Sequence, residues 1–167
     1  MRLALAGLLI VLALPAFAEE PKGCDAFAWP LGVEKAALAS SDKQTPNAGD
    51  ELDRNSAEAI TVALVPFQAA TLSKPPERDP KNADSYAGAV SFAAGSGSGK
   101  YKVTLAEFAW IDVIQNGQYL KPVAFTGAHD CPGVRKSVEF ELGAEPFVLQ
   151  LSDVSAQTIS VVLTPSD

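Results

Sequence analysis

The sequence predicts a mainly β protein: an antiparallel β-sandwich, jelly-roll-like, of about seven or eight strands, with one short N-terminal helix. Three observations predict it. The C-terminal part alternates with period two: Val138, Phe140 and Leu142 fall on one side of "SVEFEL", Glu139 and Glu141 on the other. "PFVLQLS" and "TISVVLT" repeat the pattern with Phe147, Leu149 and Leu151, then with Ile159, Val161 and Leu163. Turn residues punctuate these runs about every 8–12 residues, and no helical periodicity separates them, as a parallel α/β sheet would require.

Taken in order, the chain opens with "MRLALAGLLIVLALPAFAEE". Arg2, the apolar run 3–14 and the small residues Ala16 and Ala18 form a secretory signal, with cleavage expected after Ala18. The apolar run falls short of the roughly 20 residues that span a bilayer. Cys24 follows Pro21-Lys22-Gly23, which is not a lipid-attachment motif. The expected destination is therefore the periplasm or the medium. Residues 19–167 are expected to form one domain, in which an N-terminal helix and loop (19–58) pack on a sandwich (59–167).

Within "DAFAWPLGVEKAALAS" the spacing predicts a helix over residues 30–39, with Pro30 at its first position and Leu31, Glu34, Lys35 and Leu38 in helical phase. Trp29 is placed to pack this helix on the sandwich. "SDKQTPNAGDELDRNS" (41–56) is polar and reads as a surface loop. "AITVALV" (59–65) is rich in β-branched residues and stops at Pro66. "LSKPPERDPKNADS" (72–85) holds three prolines and is expected to be an extended, solvated connection. "YAGAVSFAA" (86–94) and "KYKVTLAEF" (100–108) are strand-like, with "GSGSG" between them read as a flexible hairpin loop. Asn116-Gly117, between "AWIDVIQ" and "QYLKPVAF", specifies a two-residue hairpin, because both central residues need positive φ.

Composition and motifs exclude several functions. The formal charge is −7, and about −8 without the signal, so nucleic acid and anionic lipid surfaces are poor partners. "AAGSGSGKY" lacks both the first Gly and the hydroxyl residue of a phosphate loop. Two cysteines in an exported chain are expected to pair, Cys24 with Cys131, closing a 107-residue separation. "TGAHDCPGVRKS" places His129, the only histidine, beside Cys131. With that sulfur oxidised and no second imidazole, neither a thiol nucleophile nor a usual zinc site can be assembled, so no metal and no cofactor is expected. No Gly-x-Ser-x-Gly elbow is present either.

The candidate binding residues are Trp110, Asp112, Tyr119, His129 and Arg135. Aromatic rings with polar tips, such as Trp110 and Tyr119, stack on sugars or anchor peptides, or simply fill a core. Asp112 is in phase with Trp110 and Ile114; it is either a carboxylate of raised pKa suited to acid–base work, or one hydrogen-bonded to a loop backbone, or one on a strand locally turned out to solvent. Arg135-Lys136 is a local basic pair, suited to a carboxylate or to plain solvation.

"GKYKVTL", "WIDVIQNGQYL", "SVEFELGAEPFVLQLS" and "TISVVLT" together make residues 86–164 resemble the pre-peptidase C-terminal type of β-sandwich of secreted bacterial proteins. That resemblance implies a binding or export-supporting role and carries over no catalytic residue. The whole chain also resembles small exported bacterial proteins of no established function, some labelled homogentisate dioxygenase; the iron chemistry behind that label needs two histidines, and this chain has one. The expectation is a non-catalytic binding or accessory module for a small molecule, glycan or protein of the cell envelope. The alternatives are a carboxylate-dependent enzyme centred on Asp112 or an envelope-assembly partner.

Overall fold

The computed structural model describes residues 22–166, so the expected signal peptide and its cleavage site lie outside the described residues. The strands are β1 (Glu51–Leu52), β2 (Ala59–Ala63), β3 (Val65–Pro66), β4 (Tyr86–Phe92), β5 (Gly99–Leu105), β6 (Trp110–Gln115), β7 (Gln118–Leu120), β8 (Ala124–Gly127), β9 (Lys136–Leu142), β10 (Phe147–Val154) and β11 (Thr158–Pro165). Eleven strands form where about seven or eight are expected, and eight of them have four or more residues. β1, β3 and β7 are two- or three-residue additions too short to leave a periodic signal.

One sheet runs β1-β4-β10-β6-β7, with β3 sharing the outer edge of β4; the other runs β2-β11-β5-β9-β8. Every ladder is antiparallel except β1 with β4. The two inner faces enclose the main core, in which Leu105, Val113, Leu149, Leu151 and Val161 are fully buried. The Asn116-Gly117 turn forms as expected, at φ 52° and 71°, between β6 and β7. The "GSGSG" segment does not make a hairpin. It carries the chain from β4 in one sheet to β5 in the other, since both edges of β4 are taken, by β10 and by β1 and β3.

Helix α1 spans Gly32–Ala39 and so begins two residues later than expected. Leu31 holds a non-helical backbone at its start (φ −123°), and its side chain is buried in a second apolar cluster with Leu38, Cys131, Val134 and Val162. This cluster lies between α1 and the outer face of the second sheet. Beside it, Glu34 is 2% exposed, takes a 2.7 Å hydrogen bond from the Thr164 hydroxyl and pairs with Lys102 at 3.0 Å. Trp29 does pack the N-terminal segment on the sandwich, its indole N–H donating to Ser137 Oγ at 3.3 Å. Cys24 and Cys131 are disulfide-bonded, with Cα atoms 4.7 Å apart.

The polar segment 41–56 is not only surface loop. Leu52 of β1 is buried against β4, and Arg54 is 1% exposed, donating from both terminal nitrogens to the Gly143 carbonyl at 2.9 and 2.7 Å. Its guanidinium lies 4.9 Å from the Tyr101 ring centre and 5.7 Å from that of Phe147. Aromatic faces attract a guanidinium, which is how an arginine inside a polar-looking run comes to be interior. Among the described residues no helix is long and apolar enough to cross a membrane.

Candidate functional site

Alternation on β6 sends Ile111 and Val113 into the core and leaves Trp110, Asp112 and Ile114 on the outer face. That outer face is not left to water. The connection 72–85 lies over it as a strap, and polar side chains of the sheet supply its hydrogen bonds. Gln150, the register partner of Asp112, accepts from the Ser73 hydroxyl and the Lys74 amide at 2.8 and 3.1 Å and donates to the Lys74 carbonyl at 3.0 Å. Asp112 accepts from the Glu77 amide at 3.3 Å and from the Trp110 indole at 2.9 Å. An irregularity in β10 turns Asp153 (φ 58°) so that it accepts from the Lys81 amide at 3.0 Å. The Tyr119 hydroxyl donates to the Pro75 carbonyl. The connection is solvated along most of its length, as expected, and in addition backbone groups of the prolines' neighbours are bonded to the sheet.

Asp112 is the carboxylate bonded to a loop backbone. Burial pushes its pKa up, and the Trp110 and Glu77 hydrogen bonds offset this only in part. Each of its oxygens already accepts a bond that fixes the strap or the Trp110 ring. Burial, with Asp112 and Glu77 nearby, likewise raises Tyr119.

A cleft of about 680 Å³ opens beside this arrangement, where the two sheets part along the β6–β7 and β8–β9 edges. Its cause is the shortness of β7, which pairs only with Val113, Ile114 and Gln115. The start of β6 therefore has no strand on that side, and residues 121–123 must cross from one sheet to the other around the gap. The cleft is lined by Trp110, Ile111 and Leu120 from one sheet and by Phe125, Val138 and Phe140 from the other, with Phe108 near its mouth. Phe125 is the register partner of Val138, so it sits on the inner face of its sheet, yet it is 73% exposed because nothing among the described residues faces it.

Charge gathers at the mouth. Lys121, Arg135 and Lys136 line it against a single carboxylate, Glu77, which pairs with Lys121 at 2.5 Å. Lys136 follows the alternation of Val138, Phe140 and Leu142 and so stands on the inner face of β9. Its ammonium lies 5.7 Å from the Trp110 ring centre, and the Arg78 guanidinium lies 5.3 Å from the same ring. No carboxylate lies within 4 Å of the Lys136 ammonium among the described residues. Burial, then the positive charges of Arg135 and Arg78, hold its pKa below the ordinary lysine range.

Of the five expected binding residues, Trp110 and Arg135 line the cleft. Asp112 and Tyr119 hold the strap from the sheet, and His129 lies in the disulfide loop, its carbonyl accepting from the Gly23 amide at 2.7 Å. The cleft residues missed from sequence are Phe125, Phe108 and Leu120. Lys136 reads in the sequence as half of a basic pair, and its phase with Val138 and Phe140 turns it inward. Among the described residues no three His, Cys, Asp or Glu side chains are grouped as a metal ion would need. No family model, curated protein or solved structure matches the chain.

Proposed function

We propose that the chain is an exported, non-catalytic binding module whose ligand seat is the cleft between the β6–β7 and β8–β9 edges. The observation that carries this reading is an inner-face aromatic, Phe125, left 73% exposed in a cleft of about 680 Å³. Both the volume and the lining, apolar with a few convergent polar groups, are those of small-molecule sites, which run from about 300 to 1,000 Å³. Export is supported by the disulfide and by the N-terminal signal pattern. A binding role is favoured over carboxylate catalysis because Asp112 spends both oxygens on the strap and the indole.

The test is a ligand screen read by Trp110 fluorescence in a Trp29→Phe background. A saturable change that Phe125→Ala weakens at least tenfold supports the reading. Ligands that bind with unchanged affinity in Phe125→Ala, or a ligand chemically converted during the assay, refute it.

A further inference from the structure

Several features of the cleft specify what it accepts. Its floor is apolar from both sheets: Ile111 and Leu120 on one side, Val138 and Phe140 on the other. Lys136 is the sole charged member of the inner-face row of β9, and it stands at the outer end of that row. A half-buried ammonium without a carboxylate partner is costly to hold, because burial removes water and the Trp110 face returns only part of what is lost. Its neighbours make matters worse, since Arg135 adjoins it in sequence and Arg78 approaches the same Trp110 ring. Among the described residues, Glu77 is the carboxylate that lines the cleft, and it is engaged by Lys121, not by Lys136. A half-buried ammonium at the mouth of an apolar recess, in a chain whose formal charge is −7, is complementary to one class of ligand.

We propose that the cleft binds a small organic anion with an apolar body, the anionic group against the Lys136 ammonium and the body along Phe125, Leu120 and Phe140. This rests on the reading of the cleft as a ligand seat and adds the chemistry of the occupant. A carboxylate, sulfonate or phosphate head replaces the water that Lys136 has lost and neutralises its ammonium. Trp110, held by its bond to Asp112, forms one wall beside the head group. The strap thereby gains a role in the site, since Asp112 fixes the indole and the Glu77 amide fixes Asp112. The apolar body replaces the missing strand opposite Phe125.

The experiment titrates the purified, disulfide-bonded chain by calorimetry with octanoate, octylammonium and 1-octanol. Octanoate is expected to bind at least tenfold more tightly than the other two. Shortening it to hexanoate and butanoate should weaken binding by about fourfold per methylene removed. Lys136→Met, which keeps the apolar stem, should weaken octanoate by roughly 10- to 100-fold and leave 1-octanol unchanged. Lys136→Arg should retain the preference for the anion. If 1-octanol or octylammonium binds as tightly as octanoate, or Lys136→Met leaves the preference intact, the anion inference is overturned while the cleft remains a ligand seat. If none of the three binds, both fail. An octanoate site that Phe125→Ala does not affect places binding elsewhere and overturns both as well.

Discussion

Replacing both cysteines by serine in a Cys24→Ser/Cys131→Ser variant tests how the N-terminal segment is held. The bond joins positions 107 residues apart, and a loop of that length restricts the unfolded chain by about 5 kcal/mol in the chain-entropy account. On the folded side the sulfurs themselves contribute only a 3.2 Å hydrogen bond from Lys35 to Cys24 and the packing of Cys131 in the second apolar cluster, and several neighbouring contacts do not depend on them. The Gly23 amide still reaches the His129 carbonyl at 2.7 Å, the Ala28 amide the Thr126 hydroxyl at 2.9 Å, and the Trp29 indole Ser137. With a urea m-value of about 2 kcal/mol per molar, the unfolding midpoint should fall by roughly 2.5 M. The assay is urea unfolding followed by far-ultraviolet circular dichroism, with the reduced wild-type chain as a second comparison. A midpoint shift below about 0.5 M would refute the reasoning, since the cross-link would then constrain only a segment that frays by itself. Two titratable thiols in the unfolded, unreduced chain would remove its premise.

Two carboxylates should bend the pH profile of stability in opposite senses. Burial raises the Glu34 pKa, but the Thr164 hydroxyl, its own backbone and Lys102 together outweigh this and hold it below the ordinary range. Its stabilisation is therefore present above the unfolded value of about 4.3 and lost as pH falls through the lower folded value. Glu34→Gln should flatten that acid limb in denaturation midpoints measured from pH 2 to 5. Asp112 is raised, so its contribution is full below about 3.9 and is lost as pH rises through the folded value. Asp112→Asn should remove that decline and keep the circular dichroism spectrum; an unchanged decline counts against the assignment. Arg54→Ala should cost about 3 kcal/mol or more by thermal unfolding, because it empties a fully buried volume between Tyr101 and Phe147 and strips two donors from Gly143. A loss under 1 kcal/mol would mean the segment 41–56 contributes little to the core.

The sandwich was legible where one face of a strand is buried and the other wet, as at Val138–Leu142 with Glu139 and Glu141 turned outward, since period two then maps directly onto burial. It was illegible where an outer face is covered too. Gln150 and Asp112 are polar and interior, 1% and 3% exposed, because their partners are backbone groups of the strap, which no local pattern announces. Arg54 escaped notice for the same reason: a guanidinium between two rings and a carbonyl is a tertiary environment, invisible in "DELDRNS". The cleft depends on β7 stopping at Leu120, and strand ends are set by pairing more than by composition. Lys136 is the exception that could have been found, since an inward phase for a charged residue is itself a signal. The cystine needed only the count of cysteines and the assumption of an oxidising compartment.

Helix α1 precedes every strand in the chain, yet it rests on β11, the last of them. The Thr164 hydroxyl and Glu34 that meet beneath it are 130 positions apart. During synthesis the strand beneath α1 is the last to be made, so this face of the sandwich is completed only when β11 emerges. A chain cut short before β11 removes Val162 and Thr164 from beneath Leu31, Leu38 and Glu34, leaving that face partly uncovered and open to proteolysis.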